Sequence, residues 1–141
     1  MSNKNIVDPE TAEKEFNRLL QLWGIEDDIE DLEDDEIKIF GGIKRKLIKN
    51  LMHGSMVIEE NGIVGYTLQQ PKNEAFTKLA LKPATGNAYM AMDKYKTHEG
   101  IHRLYAYLGS LSGLPVSVFS NMNNLDVNFC INIATLFLIT R

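Results

Sequence analysis

The chain has 141 residues, which is the length of one domain that can bury a core of its own. Hydrophobic residues make up 44% of it and charged residues 24%, close to the globular average, which excludes a wholly disordered chain. The net charge of −4 argues against general attraction to nucleic acid. The single cysteine, Cys130, excludes an intrachain disulfide and a four-cysteine zinc site.

Neither a signal peptide nor a membrane span is visible in the sequence. The first residues lack an apolar stretch with a cleavage site. The longest apolar segment, residues 125–139, contains Asp126, Asn128 and Asn132, and its 15 residues are too few to cross a bilayer. We therefore expect a soluble intracellular protein that does not bind membranes.

The acidic residues concentrate in one run. Nine of the eleven residues from 26 to 36 are Asp or Glu, and without them the net charge would change from −4 to +5. Such a run is typical of a solvated, self-repelling connector. We therefore expect two parts, an N-terminal helix with an acidic linker at residues 1–36 and a domain at residues 37–141.

The residues before this run predict a helix. Asp8 is a suitable N-cap, Pro9 suits the first helical position, and Gly24 suits the end. Apolar residues recur between them at helical spacing: Ala12, Phe16, Leu19, Leu20 and Trp23.

A second helix is predicted at residues 43–52, after a break at Gly41 and Gly42 and before a stop at Gly54. One face is apolar and the other carries Arg45, Lys46 and Lys49. The basic face has three interpretations: a solvated surface, contact with anionic lipid, or contact with an acidic partner. We favour the solvated surface.

The middle of the chain predicts one β-hairpin at about residues 63–82. Val64, Tyr66 and Leu68 alternate with smaller or polar residues, residues 71–74 form a turn, and a second alternating stretch continues to Pro83.

A cluster of helices is predicted at about residues 86–139. Gly113 is expected to end one helix, Pro115 to begin a short one, and Asp126 to neutralise the dipole at the start of the terminal helix. The alternation of Val127 to Ile133 also fits a strand, but the length of the segment favours a helix. The predicted fold class is α+β, mostly helical.

One string has a catalytic pattern. His98, Glu99 and His102 match H-E-x-x-H, in which two histidines one helical turn apart bind zinc and the glutamate acts as general base. Thr97 suits an N-cap, so both histidines would lie at the start of a helix. Asp126, the only acidic residue after His102, would have to be the third ligand. We favour two exposed histidines, with a small zinc-dependent hydrolase as the alternative.

The terminal segment is apolar on every side and must therefore be covered on every side. Two interpretations are open: a central helix of the domain's own core, or a helix covered by a partner chain or by self-association. We expect partner contact through four residues: Phe129, Ile133, Leu136 and Phe137. Cys130 in the same segment is expected to be a buried, inert thiol.

Several motifs resemble those of the tail assembly chaperones of Mu-like and related contractile-tailed phages. Residues 66–71 (YTLQQP) and 79–86 (LALKPATG) are similar to the hairpin with the L-x-L-x-x-P-T strand that precedes the helices in that family. Residues 108–115 (LGSLSGLP) are similar to its L-x-x-L-T-G-L-P helix end. Residues 122–126 (MNNLD) are similar to the start of its C-terminal L-x-x-x-D … F-L pattern, which ends here at Phe137 and Leu138. The resemblance covers residues 63–139. Asn87 stands where the family usually has Asp, and the first sixty residues match nothing in it.

The resemblance implies a protein without catalytic residues, cofactor or metal. Such chaperones bind the aggregation-prone tape-measure protein, help bring tail-tube subunits to it, and leave before the virion matures. It places the protein in the cytoplasm of the infected bacterial host. A virion tail structural subunit, which would share an apolar interaction surface, is a further alternative.

Overall fold

The computed structural model describes residues 6–72, 74–96 and 98–140. It is 60% helical and carries one small antiparallel sheet, which confirms the mostly helical α+β class. The elements in chain order are α1 (Pro9–Leu22), a 3-10 helix (Asp27–Asp31), α2 (Asp34–His53), β1 (Met56–Ile58), β2 (Val64–Thr67), β3 (Lys78–Leu81), α3 (Gly86–Met92), α4 (Gly100–Ser112), α5 (Val116–Ser120) and α6 (Asn124–Ile139).

The sheet has the strand order β1-β2-β3, with antiparallel pairing throughout. Tyr66 in the central strand lies opposite Met56 on one side and Leu79 on the other. All three of these side chains are buried, so this face of the sheet covers the core. The predicted hairpin is confirmed as β2 and β3. Strand β1 was not predicted, because its three residues are too few to give an alternating pattern.

Helix α1 begins as the sequence predicts and packs into the main core. The Asp8 carboxylate accepts a 2.7 Å hydrogen bond from the Thr11 N–H. Phe16 and Leu19 are fully buried in the cluster that also contains Phe137. Helix α1 therefore shares its core with the rest of the fold, whereas the sequence places it in a separate N-terminal part.

The acidic run is ordered rather than a connector, and the expected boundary between residues 36 and 37 falls inside α2. The run forms the 3-10 helix and the first turn of α2, where Glu33 and Glu36 make a capping box. The positive end of the α2 dipole stabilises carboxylates at this position, which offsets part of their mutual repulsion.

Helix α2 also passes through Gly41 and Gly42 without the predicted break. Two glycines cost a helix about 2 kcal/mol relative to alanine. The burial of Ile43, Leu47 and Leu51 along the core face offsets this cost. Gly54 ends the helix with a φ of +81°, as predicted.

The C-terminal helices begin and end where proline and glycine residues in the sequence predict. Gly113 ends α4 with a φ of +75°, and α5 begins directly after Pro115. The terminal segment is helical, so the strand alternative is wrong. No helix in the described ranges is long and apolar enough to cross a membrane.

Helix α6 is the central core helix of the domain. The four residues expected to contact a partner, Phe129, Ile133, Leu136 and Phe137, are each no more than 2% exposed. The expectation of partner contact at these residues is therefore corrected, because the chain's own elements cover them. Helices α2 and α4 pack against α6. The rings of Trp23, which follows α1, and Tyr66, in the sheet, stack on Phe137 and Phe129 of α6.

Candidate functional site: a groove beside a buried aspartate

Asp126 connects the first turn of α6 to the end of β2. Its side chain is fully buried. Its Oδ1 accepts hydrogen bonds from the Tyr66 hydroxyl at 2.6 Å and the Gln69 N–H at 2.7 Å. Its Oδ2 accepts one from the Gln70 N–H at 2.9 Å. These three donors replace the water that a carboxylate loses on burial. Asp126 therefore lies near the helix dipole as predicted, but its main contacts tie α6 to the hairpin.

Tyr66 and Asn123 complete this network. The Tyr66 ring stacks on Phe129, with centroids 3.9 Å apart and planes 6° from parallel. Burial raises the pKa of the Tyr66 hydroxyl, and the hydrogen bond to Asp126 raises it further, so the hydroxyl remains a donor. The Asn123 Nδ2 donates to the Gln70 carbonyl at 2.6 Å. The backbone of Gln70 is therefore held on both its N–H and its C=O.

Beside this network lies a groove of about 260 Å³ between the β2–β3 loop and the α5–α6 turn. Its apolar floor and polar rim consist of Leu68, Gln70, Lys72, Phe76, Ser117, Val118, Asn121, Met122 and Asn123. The volume is below the roughly 300–1,000 Å³ of small-molecule sites. The groove instead suits one or two apolar side chains of a protein partner. Because Asp126 holds the backbone of Gln70, the network fixes one wall of the groove.

The histidine string does not have the geometry that H-E-x-x-H requires. Helix α4 begins at Gly100, so His98 precedes the helix and does not share a helical face with His102. The His102 ring instead stacks on Tyr95 at 5.7 Å, and the Glu99 carboxylate accepts a hydrogen bond from the Lys96 N–H. Thr97, the predicted N-cap, lies outside the described residues. Among the residues described, no three His, Cys, Asp or Glu side chains are grouped to hold a metal.

Cys130 is fully buried in α6, as the sequence predicts. Burial raises the pKa of its thiol to about 12, and the nearby charge of Asp126 adds to the shift. Since only the thiolate is nucleophilic, we expect native protein to resist alkylation at neutral pH. Mass spectrometry after iodoacetamide treatment should show no adduct without denaturant and a complete adduct in denaturant. Native labelling at the rate of a free cysteine would contradict the buried position.

Four members of the network were not predicted from the sequence: Tyr66, Gln69, Gln70 and Asn123. Their only signal is Asp126 itself, since a carboxylate in an apolar helix requires donors from elsewhere.

The structure also brings together the motifs that resemble the chaperone family. Residues 66–71 meet residues 122–126 through Asp126, and Lys82 donates its N–H to the Leu111 carbonyl at 3.0 Å.

Comparisons of this chain with protein-family models, with curated proteins and with solved structures found no match.

Proposed function

We propose that the protein is a phage tail assembly chaperone, which binds the tape-measure protein and recruits tail-tube subunits in the cytoplasm of the infected host. It acts without a catalytic residue or a cofactor. The observation that supports this proposal is the apolar groove between two of the stretches that resemble the chaperone family, residues 66–71 and 122–126.

In this proposal the groove receives apolar side chains from a segment of the tape-measure protein. Val118 and Met122 contact these side chains, and Lys72 and Asn121 at the rim meet polar groups that flank them. Helix α6 supplies no adhesive surface and instead holds one wall of the groove in place. The proposed partner contact therefore lies at the turn before α6, and not on the buried face of α6.

The test is coexpression with the tape-measure and tail-tube proteins of the same phage genome, followed by affinity purification. We expect wild type to form a soluble complex. Val118→Glu places a charge in the groove and should weaken binding by at least about tenfold, which corresponds to about 1.4 kcal/mol. Met90→Glu is the matched control, since Met90 is 67% exposed and lies outside the groove.

Circular dichroism must show that both variants keep the fold. Absence of a complex with wild type, or equal effects of the two variants, would contradict the proposed groove. The protein content of purified mature particles distinguishes a chaperone from a tail structural subunit. A chaperone is absent from them, whereas a subunit is present in stoichiometric amount.

A further inference from the structure

A second groove, of about 360 Å³, lies on the outer face of α2. Ile48 and Met52 form an apolar floor, and Lys44, Arg45 and Lys49 form a basic rim. The Lys44 ammonium is already paired with Glu13 at 3.2 Å. Arg45 and Lys49 make no ion pair within the ranges that the structure describes. The groove therefore presents apolar surface and two unpaired positive charges to solvent.

The first half of α2 carries the complementary features on the same face. Ile37 is 50% exposed, and it aligns with Gly41, Ile48 and Met52 at the spacing of one helical stripe. Asp34 lies along the flank of this stripe that also carries Arg45 and Lys49. One end of the helix thus offers an apolar side chain and a carboxylate, and the other end offers a groove and cations.

Such a surface is complementary to itself under two-fold symmetry. An antiparallel pair of α2 helices that crosses at Gly41 places residue 34 of one copy opposite residue 48 of the other, and residue 37 opposite residue 45. Ile37 then covers the partner groove, and Asp34 approaches Arg45 and Lys49. A contact of this kind uses the same patch on both subunits, as closed dimers do.

Gly41 supports this arrangement independently. A methyl group added at Gly41 would meet nothing within 4 Å, so packing within the chain does not require glycine there. Glycine in mid-helix costs about 1 kcal/mol relative to alanine. A close crossing of two helices does require a small residue at the contact point, because a side chain would separate the backbones. Gly42 is equally open within the chain but points about 100° away from the crossing.

We propose that the protein self-associates through α2, as an antiparallel two-fold dimer that crosses at Gly41. The occupant of each α2 groove is the acidic first half of α2 from the second copy. This surface lies on a different helix from the groove beside Asp126, so the inference does not depend on the proposed function.

The first test compares two glycine variants by sedimentation equilibrium over a range of concentrations. The wild-type protein should be a dimer at high-micromolar concentration. Gly41→Ala should raise the dimer dissociation constant by at least about tenfold, whereas Gly42→Ala should change it by less than about threefold. Neither change clashes within the monomer, so both variants are expected to fold. A monomeric wild type, or equal effects of the two changes, would overturn the proposal.

The second test exchanges charges between two variants. Arg45→Glu with Lys49→Glu gives one variant with repelling contacts, and Asp34→Lys gives another. Each alone should be monomeric at concentrations where wild type is dimeric, and an equimolar mixture should recover the dimer because both contacts are again attractive. Dimerisation of either variant alone at wild-type strength, or a monomeric mixture, would overturn the arrangement.

Discussion

Replacement of Asp126 by alanine is expected to lower the free energy of unfolding by about 3–5 kcal/mol. The carboxylate accepts hydrogen bonds from the Tyr66 hydroxyl and from the Gln69 and Gln70 N–H groups. Alanine leaves all three donors without this acceptor, and an unsatisfied buried donor such as the Tyr66 hydroxyl costs about 1–3 kcal/mol. Urea unfolding followed by circular dichroism measures the difference.

Three further variants separate the hydrogen bonds from general effects of the substitution. Tyr66→Phe removes one donor together with its need for an acceptor, so it should cost only about 1 kcal/mol. Asp126→Asn keeps one acceptor oxygen and should lie between Tyr66→Phe and Asp126→Ala. Asp93→Ala at the exposed end of α3 should change stability by less than about 0.5 kcal/mol. A loss below 1 kcal/mol for Asp126→Ala would show that the network does not hold α6 to the hairpin.

The sequence predicted the features of this fold that depend on neighbouring residues. The N-cap at Asp8 and the glycine stops at Gly54 and Gly113 each involve contacts within a few positions. The hairpin of β2 and β3 was found for the same reason, since its turn and its alternating strands are adjacent in the chain.

Features that depend on distant residues were missed or assigned wrongly. The acidic run and the Gly41–Gly42 pair predict breaks locally, but the packing of α2 against the core decides their conformation. The partners of Asp126 lie 56 to 60 residues away, so no local pattern identifies them. The groove beside this network was missed because two distant loops form it. The sequence left two interpretations of α6 open, and only the packing of other elements against it, chiefly α2 and α4, decides between them.

Replacement of Phe137 by alanine is the second change with a large expected effect, a loss of about 3–5 kcal/mol in the free energy of unfolding. The Phe137 ring stacks on Trp23, with centroids 3.6 Å apart and planes 10° from parallel. The Trp23 Nε1 in turn donates to the Gly62 carbonyl at 2.7 Å. Phe137 thus links the end of α1 to the end of α6, and its loss leaves a cavity between them.

Leu125→Ala is the matched control, since Leu125 lies on the same helix but is 50% exposed. It should change stability by less than about 1 kcal/mol, because little apolar area is lost from the core. An adhesive α6 gives the opposite result: Phe137→Ala would leave stability unchanged and weaken partner binding. Because Phe137 is 2% exposed, we expect the loss to appear in urea unfolding, and the folded fraction of the variant to bind partners as wild type does.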